Sequence, residues 1–474
     1  MFDLSIIGGG PAGYTAAERA ANKGLSVVLF EKNAMGGVCL NEGCIPTKTL
    51  LYSAKLYHNA LAGEKYGISA QNVDFDYAKI VSRKNKIVRK LNAGIRAKMT
   101  AHNVNVVVGE AVIKNYSEEK IEILCNENIF EAKKLLLCCG SQTFVPKIKG
   151  VENVEFLTSR EALEIKELPA SIAIVGGGVI GMEFAGLFRT FGAKVAVVEM
   201  ANEILPPFDS EISALLRENY QKQGVEFFLG AKVIEIQSLP CHCGLDTQSP
   251  ENETIACQAR NDNEGAQKII FIDKENVEQT LEVEKILLCV GRKPTLNGLE
   301  MLNLETFRGG VKVDENMQTS LKNVYAAGDI TGFSMLAHTA VREAEVAVNH
   351  IVGNVDKMHY NAVPAVVYTN PEVAGVGKTE DELKISGEKY SVKKLPMTFS
   401  GRFVAENEGG NGLCKLIFDE KERLIGAHLI GNPASELIAT ATLAIEQHLD
   451  IEQFKKLIFP HPSVGEIFKE TLFE

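Results

Sequence analysis

Two cysteines, Cys39 and Cys44, stand five residues apart in the stretch GGVCLNEGCIPTK, Gly36 to Lys48. Thiols held at short range can cycle between dithiol and disulfide and so carry an electron pair. A regular helix through this stretch would set the two Cα atoms about 7.5 Å apart along its axis, beyond the roughly 4.4–6.8 Å that a disulfide spans. A bridge therefore requires a local distortion, and Gly43, directly before Cys44, supplies the backbone freedom for one. A strained, accessible disulfide is of the reducible rather than the structural kind. Two free buried thiols are the alternative reading; metal binding lacks a second Cys/His pair nearby at ligand spacing, and no metal is expected.

A second candidate lies near the C-terminus, where PHPSVGE carries His461 and, five residues on, Glu466. Free thiols ionise near pH ~8.5, so a dithiol attacking at neutral pH needs a base to take its proton. His461 can be that base, with Glu466 holding the imidazole and stabilising its cation. A histidine between two prolines also suits an ordinary turn.

Such groups need a frame, and the sequence writes the same frame twice. Leu4 to Ile7 form a short apolar strand, followed by Gly8, Gly10 and Gly13 and a helix of small residues from Tyr14 to Lys23. A β-branched strand, Ser26 to Phe30, then ends at Glu31, 18 residues after Gly13. The pattern returns as Ile172 to Val175, Gly176, Gly178 and Gly181, then Lys194 to Val198 and Glu199, again 18 residues after the last glycine. Glycines at this spacing admit a pyrophosphate to a helix N-terminus, whose free N–H groups and dipole favour an anion, while the acid can bond a ribose hydroxyl. Two complete strand–helix–strand–acid frames predict two dinucleotide sites. Glu199 would repel the 2′-phosphate of NADP, so the second site is predicted to take NAD.

Length and composition suit this reading. A chain of 474 residues suggests several domains, and 45% hydrophobic with 23% charged residues is the globular average. A net charge of −11 and the lack of a basic cluster disfavour nucleic acid or an anionic membrane as partner. No apolar run approaches the ~20 residues of a membrane-spanning helix, and the chain enters a strand at once without a presequence, so a cytoplasmic location is expected. The ten cysteines are scattered, most of them expected to be buried small hydrophobes.

With these motifs in place, the chain from Ser5 to Glu466 resembles the flavin-dependent pyridine nucleotide-disulfide oxidoreductases, and GGVCLNEGCIPTK is most similar to the dihydrolipoamide-oxidising branch of that family. The resemblance implies an α/β fold with two Rossmann-like domains, for FAD and NAD, and a C-terminal α+β dimerisation domain. The implied boundaries are residues 1–147 for the first part of the FAD domain and 148–290 for the NAD domain. Residues 291–349 form the second, central part of the FAD domain, and residues 350–474 the interface. Cys39 would exchange with the substrate dithiol and Cys44 would lie against the flavin as a thiolate, beside Lys48 near the flavin N5, with Glu183 as the usual partner of that lysine. The segments AAGDIT and MLAHTA imply Asp329 at the ribityl chain and Ala337 at the ring; Asp329 could otherwise be a helix cap. Gly109 and the backbone of Ala111, where a second glycine is common, would touch the flavin. Val233 would touch the NAD adenosine and Gly291 the nicotinamide half. His461 would serve the disulfide of the opposite subunit of a homodimer. The dithiol would arrive on a lipoyl domain of a 2-oxo acid dehydrogenase acyltransferase or a glycine cleavage H-type protein.

The chain departs from the family pattern in two places. LLCCGS, Leu136 to Ser141, puts Cys138 and Cys139 where small residues are usual, and both read as core. Between Gln237 and Gln267 runs a polar stretch with Cys241, His242, Cys243 and Cys257, of which about residues 239–263 read as an inserted surface loop. His350, His359, His428 and His448 read as surface or packing residues. The nearest rivals are reductases that work on glutathione-like disulfides or mercuric ion, which usually carry a VGCVP motif. A scaffolding subunit of an acyltransferase complex is a different class of reading.

Overall fold

The structure is a computed structural model that describes residues 1–239, 265–407 and 409–474. The chain divides into two compact units, residues 1–144 with 291–474, and residues 145–290.

In the first unit, strand β1 (Phe2–Ile7) leads through the glycine turn into helix α1 (Pro11–Asn22) and strand β2 (Val27–Glu31). The helix starts three residues earlier than its apolar pattern suggests because Pro11 fits the first helical position, where no N–H is needed and φ is already helical. β1 lies between β2 and the strand Asn128–Leu137, parallel to both, with Asn105–Val108 beyond β2 and Val324–Ala326 beside Asn128–Leu137. Ala16, Ala17 and Ala20 of α1 pack with Ala340, Ala344 and Ala347 of the helix Ala337–Ile351, small residues that let the two backbones approach. That packing fixes where the second flavin-type segment lies relative to the first glycine turn.

The same unit carries the C-terminal five-stranded antiparallel sheet, in the order Ala365–Val367, Val373–Gly377, Leu424–Ile430, Leu413–Phe418, Ser391–Pro396. The helix Ala434–Glu446 covers it, and Leu416, Phe418, Ile438, Ala441 and Phe468 lie in its core. This is the strand and helix alternation that the sequence suggests for the α+β part.

The second unit repeats the parallel arrangement: Val225–Leu229, Lys194–Glu199, Ser171–Val175, Lys285–Leu288, with the helix Val179–Thr190 joining Ser171–Val175 to Lys194–Glu199. A three-stranded antiparallel sheet follows, in which Lys232–Ser238 pairs with Gln267–Ile272. Ser238 stands opposite Gln267; residues 240–264, with Cys241, His242, Cys243 and Cys257, lie outside the described residues. Among the described residues, no helix is long and apolar enough to cross a membrane, and no cluster of three metal-ligating side chains occurs.

Candidate active site

The first glycine turn is built by close approach. Gly8 has φ +107°, and a Cβ there would fall 2.1 Å from the Cys138 carbonyl oxygen; a Cβ on Gly13 would fall 1.8 Å from the Gly8 carbonyl oxygen. No side chain caps α1, which leaves its first-turn N–H groups to an anion. Glu31 is buried and grips the turn: Oε2 accepts from the Gly9 N–H at 2.7 Å and Oε1 from the Asn33 N–H at 2.7 Å. The cradle and the fixed acid fit the adenosine–pyrophosphate half of FAD. Gly109 borders the same strand ends, its N–H donating to the Glu31 carbonyl at 3.0 Å, and a Cβ there would strike Asn126 Oδ1 at 2.5 Å. Ala111 is partly buried and packs on the same core.

The cysteine segment is docked on that turn. Gly36 N–H donates to the Gly9 carbonyl at 2.8 Å, and Gly37, with φ +58°, comes so near that a Cβ would lie 2.7 Å from the Gly10 Cα. Asn41 Nδ2 ties the loop by donating to the carbonyls of Met35 at 3.0 Å and Gly37 at 2.9 Å, and Asn92 Nδ2 donates to the Met35 carbonyl at 2.6 Å. Cys39 belongs to the short helix α2 (Gly37–Glu42), and Cys44 opens the 18-residue helix α3 (Cys44–Leu61). The break falls at Gly43, whose φ of −148° and ψ of −106° belong to neither helix. A straight helix would hold the sulfurs apart, whereas this break brings the two thiols into hydrogen-bond contact.

Electrostatics separates the pair. The hydrogen bond to Cys44 holds the Cys39 proton and pushes its thiol well above the ordinary range; burial and the charge of Cys44 add to this, while Lys48 opposes it. Cys44, at the first position of α3, has the helix dipole in favour of its thiolate. Lys48 lies one turn further on, its Nζ 4.7 Å from the centre of the Tyr368 ring. Tyr14 of α1 also faces the pair: burial first, then Cys39 and Cys44, raise its phenol.

Asp329 opens a short turn, Asp329–Thr331, directly after Gly328. Its Oδ2 accepts from Ser141 Oγ at 2.5 Å, Ser141 Oγ accepts from Arg292 Nε at 2.8 Å, and Asp329 stands near enough to Cys39 to raise its thiol. Ala337 begins its helix without a side-chain cap, at a partly exposed position. Cys138 is buried and Cys139 half-buried, with burial holding both as thiols.

His461 Nδ1 lies 2.9 Å from Glu466 Oε1, and Glu466 Oε2 accepts from the Ser463 N–H at 2.8 Å. The Ser463 N–H and then His461 lower the Glu466 carboxyl, which keeps it an anion and fixes Nδ1 as the donor. The His461 side chain is 83% exposed, so its Nε2 faces outward from the chain.

In the second unit the glycine turn recurs. Gly176 has φ +107°, a Cβ on it would lie 2.5 Å from the Cys289 carbonyl oxygen, and one on Gly181 would lie 2.1 Å from the Gly176 carbonyl oxygen. Glu199 Oε2 accepts from the Gly177 N–H at 2.5 Å and Oε1 from the Ala201 N–H at 2.6 Å. Among the described residues, nothing lies within 4 Å of a Cβ built at Gly178, where the helix begins, which leaves room for a second dinucleotide. Glu183 is buried on the same helix, and Val233 is partly buried where its strand bulges; Gly291, in the first unit, has φ +110°.

Tyr14, Asn41, Ser141, Arg292 and Tyr368 join the site without having been singled out from sequence. Asn41 alone had a local signal, since it lies inside the cysteine motif.

Comparisons with known proteins agree with this geometry. The family model described as pyridine nucleotide-disulphide oxidoreductase matches residues 2–344, and that of the same family's dimerisation domain matches residues 363–472. The chain is 34% identical to a dihydrolipoyl dehydrogenase of Bacillus subtilis, covering 99% of this chain and 97% of that one. It is also 34% identical to the mitochondrial dihydrolipoyl dehydrogenase of Pisum sativum, covering 99% and 90%. The fold is shared with the LpdA protein of Mycobacterium tuberculosis, at TM-score 0.85 and 23% identity, with 99% of each chain covered. The chain belongs to the pyridine nucleotide-disulphide oxidoreductases, FAD- and NAD-dependent enzymes with two Rossmann-like domains and a C-terminal dimerisation domain.

Proposed function

We propose that this chain oxidises dihydrolipoyl groups carried on a protein, with NAD as final acceptor, and works as a cytoplasmic homodimer. The observation that carries the reading is the thiol pair Cys39–Cys44, brought into contact by the break at Gly43 and docked through Gly37 onto the first glycine turn. The dithiol substrate follows from the full-length likeness to dihydrolipoyl dehydrogenases. Residues 1–147 and 291–349 would hold FAD, residues 148–290 NAD, and residues 350–474 the second subunit.

The reaction starts with Cys39 and Cys44 joined as a disulfide. His461 of one subunit, oriented by Glu466, takes the proton of a substrate thiol at Nε2. The resulting thiolate attacks the Cys39 sulfur; the Cys39–Cys44 bond breaks and Cys44 leaves as a thiolate, a good leaving group at a helix N-terminus. The second substrate thiol then attacks the mixed disulfide at the substrate sulfur, releasing Cys39, which takes up a proton. The substrate leaves as a cyclic disulfide, two electrons now reside on the cysteine pair, and the second proton remains on His461. FAD, when bound, would supply the acceptor for that electron pair and the route by which it reaches NAD as hydride. Lys48 and Glu183 would position the flavin ring edge, Asp329 the ribityl chain, and Ala337 the ring from the helix start. Gly8, Gly10, Gly13, Glu31, Gly109 and Ala111 would hold the rest of FAD; Gly176, Gly178, Gly181, Glu199, Val233 and Gly291 would hold NAD. The carrier would be the lipoyl domain of a 2-oxo acid dehydrogenase acyltransferase or a glycine cleavage H-type protein.

The test is anaerobic addition of dihydrolipoamide to the flavin-loaded protein. A long-wavelength absorption band should appear and give way to NADH when NAD is added. Cys44→Ser should lose both while keeping its flavin, with turnover down at least about a thousandfold, because a serine hydroxyl cannot complete the exchange. Full-rate NADH formation by Cys44→Ser would refute the relay. Reduction by NADPH alone, with no response to dihydrolipoamide, would move the chain to the glutathione- or mercuric-type reductases.

A further inference from the structure

Glu343 is a charged residue in the middle of a core. It lies on the inner face of the helix Ala337–Ile351, fully buried, with Ala340, Ala344 and Ala347 around it on the same stripe. Its Oε2 accepts from the Gly328 N–H at 2.6 Å, and the Tyr360 hydroxyl lies 2.7 Å from its Oε1. Gly328 has φ +84° and precedes Asp329, the residue assigned above to the ribityl chain. One turn is therefore gripped from two sides: Asp329 by Ser141, itself held by Arg292, and Gly328 by Glu343, itself held by Tyr360.

No cation pairs with Glu343 among the described residues. The cations of its own helix and of α1 are committed elsewhere: Arg342 to Asp356 at 2.5 Å, and Arg19 to Glu345 at 3.3 Å. His350 meets the Tyr325 hydroxyl at 3.1 Å. The charged group that faces Glu343 from the turn is Asp329, which carries the same sign, and the Cys138 thiol on the neighbouring strand is kept neutral by burial. Burial raises the Glu343 carboxyl to about 7, against the partial relief given by Gly328 and Tyr360.

We propose that Glu343 is a positioning residue of the flavin site whose proton sets how firmly FAD is held: in either form it accepts from the Gly328 N–H and holds the Gly328–Asp329 turn, and the carboxylate adds a charge that opposes the anionic cofactor. The inference rests on the flavin reading of this site and adds a control of cofactor affinity by pH. Ionised Glu343 would place a second negative charge beside Asp329, in a site that must also receive a pyrophosphate. Binding FAD therefore raises the affinity of Glu343 for its proton, and by linkage FAD binds the neutral form more tightly. The sign follows. In the protein before FAD binds the carboxyl is held at about 7, and FAD would raise it further, so the affinity is fully present below about 7 and is lost as the pH climbs from there toward the raised value. FAD affinity should be level below pH ~7 and should fall above it, by about tenfold between pH 6 and pH 8.5.

The experiment measures FAD release from the flavin-loaded protein by recovery of flavin fluorescence on dilution, between pH 6 and 9. Glu343→Gln keeps an acceptor for Gly328 and a donor for Tyr360, and so imitates the neutral acid; it should hold FAD as tightly at pH 8.5 as at pH 6. Tyr360→Phe removes a bond that favours the carboxylate, and should move the fall in affinity to higher pH. Retention of the unaltered protein's pH profile by Glu343→Gln would overturn the inference. Should that variant not fold, an unmoved midpoint in Tyr360→Phe would overturn it equally. Failure of the flavin reading would look different, since the unaltered protein would then take up no FAD at any pH.

Discussion

The two glycine turns are near copies in backbone and unlike in what is attached to them. Gly8 and Gly176 share φ +107°; Gly10 and Gly178 share φ −73° with ψ −172° and −175°; each is followed by a 12-residue helix. Each acid, Glu31 or Glu199, accepts from the N–H of the residue after the first glycine, Gly9 or Gly177, and from the N–H two residues beyond itself. Even the strand behind each turn ends the same way, with a cysteine carbonyl, of Cys138 or Cys289, against the first glycine. The difference lies in front. Gly10 has Gly37 pressed on it, and with Gly37 comes the helix that carries Cys39; Gly178 has open space. A dinucleotide cradle is thus a generic part, and the redox chemistry of this chain belongs to the segment docked on only one of the two.

The comparison is broken most severely by closing each cradle in turn. A Cβ at residue 13 would fall 1.8 Å from the Gly8 carbonyl oxygen, and at residue 181 it would fall 2.1 Å from the Gly176 carbonyl oxygen. Overpacking against backbone costs ~1–3 kcal/mol or more, and here the shift would widen the phosphate cradle itself. Gly13→Ala should purify without flavin. Gly181→Ala should keep flavin and its spectral response to dihydrolipoamide, yet make NADH at least about a hundredfold more slowly at a given NAD concentration. If both variants lost flavin, the two turns would not be separable functions.

The docking contact is the next largest. Gly37→Ala would strain a residue at φ +58° and press a Cβ to 2.7 Å from the Gly10 Cα. Because the second turn has no such neighbour, NAD affinity should be unchanged while dihydrolipoamide oxidation falls by about ten- to a hundredfold, as befits a misplacement of about 1 Å in the reacting pair. Flavin titration and single-turnover reduction by dihydrolipoamide separate loss of cofactor from misplacement of the thiols.

What the sequence made legible follows the range of the interactions. The two turns could be read because three glycines, a small-residue helix and an acid lie within two dozen residues of one another. The pair His461 and Glu466 is likewise local, five residues apart and bonded at 2.9 Å. The brace at Asp329 could not be read that way: Ser141 is 188 residues from Asp329 and Arg292 is 151 from Ser141, so no local pattern joins them. Glu343 is an intermediate case. In AVREAEVAV it passes for one of three charged residues, yet it stands three after Ala340 and four before Ala347, on the apolar stripe of a 3.6-residue repeat. A charge on that stripe was the available signal for a buried acid. The cysteine pair shows the opposite limit: ideal helix geometry indicated that a distortion was required and Gly43 marked where, while the hydrogen bond between the two thiols needed coordinates.

The finest difference between the cradles is what their acids exclude. Glu31 and Glu199 make the same two backbone bonds, but only the second cradle must choose between cofactors that differ by a phosphate on the ribose. Two charges about 4 Å apart interact by ~4 kcal/mol at the effective dielectric of a protein surface, and salt and water reduce this further at a partly exposed acid such as Glu199. Replacing Glu199 by Gln removes the charge but also turns an amide toward one of two N–H donors, so NAD binding should weaken by about 1 kcal/mol as well. The ratio of kcat/KM for NADP to that for NAD cancels the shared loss, and it should rise about tenfold in Glu199→Gln. Glu31→Gln should weaken flavin binding by a similar amount and leave the ratio where it was. An unchanged ratio in Glu199→Gln would mean that the second cradle rejects the phosphate by shape, and that the two acids are equivalent clamps for their glycine turns rather than a clamp and a filter.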